Sequence, residues 1–206
     1  MTSRGIFIAF EGGEGAGKST QSTLLTDWLV ARGHKVTVTF EPGDTPVGKQ
    51  LRGLLLGHET GELSPRTEAL LYAADRAEHV AAVVRPALGR GDVVITDRYV
   101  DSSLAYQGAG RELTVDEVEQ LSSWATDGLT PELTVLLDID PEIGLSRFDA
   151  PADRLEAEPL NFHQRVRQQF LDLAAREPSR YLVLEATGTP DEIHAAVRAR
   201  LEALLA

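Results

Sequence analysis

The chain has 206 residues, enough for one core of α/β size with no need of a second domain. It has no cysteine, which excludes a disulfide scaffold or a thiolate metal site. Its formal net charge of −12 argues against DNA or RNA as a partner, because a phosphate backbone would repel such a surface.

Short apolar runs alternate with longer helical ones from end to end. Ile6–Phe10, Lys35–Phe40, Asp92–Thr96, Glu132–Leu137 and Arg180–Leu184 have the length and apolar content of strands covered on both faces. The first run holds too few apolar residues for a signal peptide. No run reaches the ~20 apolar residues of a membrane span, so the expected location is the cytoplasm. Lys18–Arg32 carries Leu24, Leu25, Trp28 and Leu29 on one helical face, and Ile193, Val197, Leu201 and Leu204 repeat at helical spacing near the end. Helix starts are marked by capping residues followed by proline at Thr45-Pro46, Ser64-Pro65, Asp140-Pro141 and Thr189-Pro190. Thr114 with Glu117, and Thr189 with Glu192, have capping-box spacing. Five strands separated by helices predict a doubly wound, parallel, five-stranded α/β sheet over residues 1–206, with ligands beyond the C-terminal ends of the strands.

The first strand runs into Gly12-Gly13-Glu14-Gly15-Ala16-Gly17-Lys18-Ser19, a complete GxxxxGK[ST] motif that also opens the first helix. Glycines let the backbone turn bare N–H groups toward a phosphate, and the helix N-terminus adds a positive field. Lys18 carries charge to the outer phosphates, and Ser19 can reach a bridging Mg²⁺. A switch GTPase would also carry Asn-Lys-x-Asp, but the one asparagine, Asn161, precedes Phe162. The third strand ends at Asp97-Arg98-Tyr99. Asp97 can serve as a Mg²⁺ carboxylate and Arg98 can clamp an anionic acceptor. Taken alone, this is equally a surface ion pair. Tyr72 falls in the apolar helical stretch Glu68–Ala74 and by periodicity reads as core.

Asp97-Arg98-Tyr99-Val100-Asp101-Ser102-Ser103-Leu104-Ala105-Tyr106-Gln107-Gly108, together with Phe10-Glu11-Gly12 through Thr20, closely resembles the bacterial thymidylate kinase family. Glu41-Pro42-Gly43, Ala73-Ala74-Asp75-Arg76, Leu137-Asp138 with Pro141-Glu142, and Asp153-Arg154-Leu155-Glu156 extend the match in the family's order. The resemblance implies a P-loop kinase fold with a short lid near residues 148–158. It also implies a homodimer and transfer of phosphate from ATP to dTMP with Mg²⁺. Gly12 to Thr20 and Arg147 would hold ATP, with Arg147 against adenine. Glu14, Glu41, Arg76 and Arg98 would serve the acceptor's phosphate, sugar and base edge. Tyr72 would stack on thymine, Ser103 and Gln107 would meet its polar edge, and Tyr106 would crowd the 2′ position. Lys18, Arg98 and Arg154 form the expected catalytic set. Because Gly15 stands where one style of the family has arginine, Arg154 is expected to swing over the phosphates from the lid. Phe40 stands where the family often has arginine, and Asp44 where it often has glycine. The alternatives are a kinase for another nucleotide and a non-catalytic nucleotide-binding regulator.

Overall fold

A computed structural model describes residues 5–109, 113–147 and 153–205. In chain order the elements are β1 (Ile6–Glu11), α1 (Lys18–Val30), β2 (Val36–Phe40), α2 (Pro46–Leu56), α3 (Pro65–His79) and α4 (Arg85–Gly89). They continue with β3 (Val93–Asp97), α5 (Val100–Ser103), α6 (Val115–Thr126), β4 (Leu133–Asp138), α7 (Pro141–Leu145), α8 (Leu160–Arg176), β5 (Tyr181–Glu185) and α9 (Pro190–Leu205). Two π-helical turns, Val80–Val84 and Leu104–Ala109, carry α3 into α4 and extend α5. The helix starts form where capping chemistry places them. Thr45 accepts from Gly48 N, Ser64 from Thr67 N and Asp140 from Glu142 N. Thr114 and Glu117 close a full capping box.

All five strands are parallel, in the order β2-β3-β1-β4-β5. Alternation along β1 sends Ile8 and Phe10 to one face and Phe7 and Ala9 to the other. The first face packs Val93, Ile95, Leu133 and Val135 under Leu25, Trp28 and Leu29 of α1 and Ile193, Val197 and Leu201 of α9. On the second face Phe7, Ala9 and Val94 meet Val80, Val84 and Ala87. Beside them, Tyr106, Leu136 and Tyr181 pack with Phe162, Val166 and Phe170 of α8.

Two expectations are corrected here. The edge strands are not covered on both faces: Val38 and Phe40 of β2 and Val183 of β5 are exposed, because each lies at the rim of the sheet. Leu204 is likewise exposed at the end of α9. Residues 148–152 of the expected lid lie outside the described residues. Residues 153–158 form a turn closed by Asp153, whose carboxylate accepts from Leu155 N and Glu156 N, and Leu155 is buried.

The Tyr106 ring is held by α8, with centroids 6.1 Å from Phe162 and 6.2 Å from Phe170. Phe170→Ala should cost about 3–5 kcal/mol in urea unfolding, the usual loss for a buried aromatic.

Candidate active site

Parallel strands deliver their C-terminal ends to one side of the sheet, and the motif residues follow those ends. β1 leads into the glycine loop, β2 into Glu41, β3 into Asp97 and Arg98, and β4 into α7. Gly12 adopts φ 137° and Gly15 φ 67°. A Cβ at Gly12 would lie 2.4 Å from the Leu137 carbonyl oxygen, and one at Gly15 would lie 2.1 Å from the Gly144 carbonyl oxygen. The loop thus packs backbone against backbone on the root of α7, which no side chain at position 15 could allow without displacement.

Lys18 Nζ donates to the carbonyls of Gly12 (3.2 Å) and Gly13 (2.8 Å). Burial lowers its pKa, reinforced by Arg98 and opposed by Glu14 and Asp97. The Ser19 hydroxyl donates to the Asp97 carboxylate at 2.8 Å. An open cleft of about 650 Å³ runs over this loop, lined also by Val38, Phe40 and Arg147. Arg147 is fixed there by bonds to the carbonyls of Gly15 and Ala186.

A second cavity of about 130 Å³ adjoins the first. Tyr72, Arg76, Ser102, Ser103, Tyr106 and Gln107 line it. Glu14, Glu41, Arg52, Arg98 and Glu156 line both spaces and so mark their junction. Arg98 holds a left-handed φ of 69°, which turns its side chain back toward the glycine loop. Its Nη1 donates to Gly12 O and Ser102 Oγ, and its Nη2 donates to Glu14 at 2.5 Å. Three of its five N–H donors are engaged by these groups. Tyr106 also donates to Glu14, at 2.8 Å, while the Arg98 guanidinium stands 5.1 Å from its ring centre. Burial pushes Glu14 upward, but Arg98, Lys18 and the Tyr106 hydroxyl outweigh it and bring its pKa to about 2. Glu11, fully buried at the end of β1, accepts from Tyr99 N, Ser102 N and Ser102 Oγ. It therefore anchors the turn that presents Arg98. Burial and the nearby Asp101 raise its pKa to about 8.

Arg76 is only 2% exposed. Its Nε donates to Glu41 at 2.7 Å, Nη1 to Ser103 Oγ and Nη2 to Tyr99 O. The other Glu41 oxygen meets His79 Nδ1 at 2.7 Å. Tyr72, read as core from periodicity, is buried and also forms cavity wall. Asp44 binds the Thr39 hydroxyl at 2.5 Å and lines neither space, so its charge is turned from an incoming anion.

Arg154, expected over the phosphates when the lid closes, is engaged elsewhere in this structure. Its Nε donates to Leu55 O at 2.8 Å and its Nη2 to Glu68 at 2.5 Å, and it lines neither cavity. Glu68 is 1% exposed, so pulling Arg154 toward the phosphates would leave a buried carboxylate short of its guanidinium. Arg52, which sequence reasoning missed, reaches the junction instead. Its Nη1 donates to Pro42 O at 2.7 Å and its guanidinium stands 5.9 Å from the Phe40 ring centre. An arginine on a short amphipathic helix carries no sequence signal of such a role. Glu11, Glu68 and His79 were missed for the same reason: their partners are remote in sequence.

A family model for thymidylate kinase matches residues 10–197. A thymidylate kinase of Clavibacter michiganensis subsp. michiganensis is 57% identical over 205 residues, covering 98% of this chain and 97% of that protein. One from Deinococcus radiodurans is 54% identical, covering 95% of each. The crystal structure of thymidylate kinase from Ehrlichia chaffeensis matches with a TM-score of 0.80 at 31% identity, covering 96% of this chain and 98% of that one.

The depressed Glu14 pKa carries a sign. A carboxyl lowered from 4.5 to about 2 adds stability that is fully present above pH ~4.5 and is lost as pH falls through ~2. The shift corresponds to about 3 kcal/mol. Wild type should therefore exceed Glu14→Gln in unfolding free energy at pH 6, and the gap should close between pH 4.5 and 2. A gap that ignores pH would contradict the Arg98–Glu14 pairing.

Proposed function

Since the chain belongs to the thymidylate kinase family and phosphorylates dTMP to dTDP, we propose how its two cavities divide that reaction. The observation that carries the reading is their meeting at Arg52, Arg98 and Glu14. The glycine-loop cleft holds ATP, with Gly12 to Thr20 around the phosphates, Lys18 on the outer ones and Arg147 against adenine. The adjoining cavity holds dTMP. Its phosphate meets Arg98 together with Arg52. Its thymine lies against Tyr72, with Arg76, Ser103 and Gln107 at its polar edge. Tyr106, clamped between Glu14 and the aromatic rings of α8, fills the space a 2′ hydroxyl would need.

The Ser19 hydroxyl and the Asp97 carboxylate, 2.8 Å apart at the cleft, suit Mg²⁺. This ion takes hard oxygen donors, one or two carboxylates and the phosphates of its nucleotide. When bound it offsets the negative charge of the phosphates. The protein's own task is positioning and charge stabilisation. Lys18 and Arg98 approach the transfer point from opposite cavities. Glu14, ionised at neutral pH, keeps Arg98 pointed there. Arg52 and Arg98 take the part expected of Arg154.

Helices from both ends of the chain, α1 and α9, share one core, which supports reading it as one domain. Among the described residues no helix is long and apolar enough to cross a membrane, consistent with a cytoplasmic enzyme. We also propose a homodimer through the outer face of α3 and α6. Trp124, at helical spacing from Val118 and Leu121 along α6, is 82% exposed, and Leu70 is exposed on α3. Large exposed apolar side chains of this kind mark interfaces.

Lys18→Ala should keep its unfolding midpoint but lose roughly 10²–10³-fold in kcat in a coupled ADP-release assay. In the same assay dTMP should outrun dCMP and CMP. Equal kcat/KM for dTMP and CMP would refute the assignment of the second cavity. For the dimer, Trp124→Glu should shift sedimentation toward the monomer while leaving the fold intact. A wild-type monomer at micromolar concentration would refute the interface.

A further inference from the structure

Glu68, Tyr72 and Arg76 lie at i, i+4 and i+8 on α3 and so share one face, directed at the acceptor cavity. Tyr72 and Arg76 line that cavity, but Glu68 does not. It is 1% exposed and lies behind the wall. One carboxylate oxygen accepts from Gln107 Nε2 at 3.0 Å, and the other accepts from Arg154. A carboxylate that accepts from a guanidinium offers that partner lone pairs, not a donor. The Gln107 atom that faces it must therefore be the NH₂ nitrogen. This removes the two-fold ambiguity of a carboxamide and leaves the Gln107 carbonyl oxygen for the cavity that the residue lines.

We propose that Glu68 sets base choice as a positioning residue, by holding the Gln107 carboxamide so that its carbonyl oxygen alone meets the acceptor base. The inference rests on the reading above, in which Gln107 meets the base's polar edge. An acceptor oxygen pairs with the N3–H of thymine or uracil. The N3 of cytosine is a lone pair, and it would face that oxygen acceptor to acceptor. Discrimination thus originates in a carboxylate that never touches the substrate. Arg154 belongs to this device: it anchors the far oxygen of Glu68, so that the free rotation of the carboxylate is lost as well.

The test compares kcat/KM for dTMP, dUMP and dCMP in wild type, Glu68→Gln, Gln107→Ala and the double variant. With Gln at 68 the new carbonyl is taken by Arg154 and the new NH₂ faces Gln107. Gln107 must then flip and present its own NH₂ to the base. In Glu68→Gln, dTMP and dUMP should fall together, roughly 10- to 100-fold, the worth of one mispaired buried polar group. The dTMP to dCMP preference should collapse by a similar factor, with KM for ATP unchanged. Gln107→Ala should collapse the same preference, and the double variant should resemble it, because both changes act through one amide. An equal loss for all three acceptors in Glu68→Gln, or an unchanged preference, overturns the proposal. If Gln107→Ala also leaves the preference intact, the assignment of Gln107 to the base edge falls with it. If Gln107→Ala abolishes the preference while Glu68→Gln does not, only the role of Glu68 falls. Should Glu68→Gln fail to fold, Glu68→Asp withdraws the same carboxylate by one methylene, and calorimetric binding of dTMP against dCMP reads the same ratio.

Discussion

Two buried carboxylates and one part-buried one hold three guanidinium groups at and behind the wall of the second cavity. Glu41 holds Arg76, Glu14 holds Arg98 and Glu68 holds Arg154, at 2.7, 2.5 and 2.5 Å. Such pairs need not add net stability, since desolvation offsets the attraction. Their importance is geometric. Each pair is short and well aligned, which leaves its members few alternative positions. In a chain of net charge −12, these arginines are thereby held in fixed positions.

The pairs are assembled by the sheet. β1 and β3 are neighbours in register Phe10 to Asp97, so Glu11 and Arg98 follow side by side. Glu11 then binds the start of α5, and that contact turns Arg98 toward the glycine loop. β2 brings Glu41 next to the same edge, where α3 supplies Arg76 and His79. Two clefts result because α3 and α5 wall one side while the glycine loop floors the other. Phosphoryl transfer needs a donor and an acceptor in line with little covalent help, and Arg98 lies where the two spaces meet.

The strands form within a residue or two of where apolar runs place them, and the capping residues begin their helices as local chemistry demands. The glycine loop is equally legible, because backbone freedom, helix start and lysine occur in one contiguous stretch. Of the lid expected at 148–158, only residues 153–158 are described. Asp153 to Glu156 form a closed turn and Arg154 is directed at α2 and α3. Periodicity placed Tyr72 correctly among buried residues but could not show that the buried side faces a cavity. Trp124 shows the converse: an apolar stripe on α6 has one member buried, Val118, and another in the open.

What the sequence by itself determined is whatever depends on neighbours along the chain: strand and helix positions, helix caps, the phosphate loop and, through motif resemblance, the family. Only the tertiary structure decided which charge meets which. Arg76 and Glu41 are 35 residues apart, Arg98 and Glu14 are 84 apart, and Arg154 and Glu68 are 86 apart. A guanidinium reads the same in a sequence whether it faces water, a phosphate or a buried carboxylate. Its role is fixed by the low-dielectric surroundings and the partners within reach, and both exist only once the sheet has brought distant segments to a common edge.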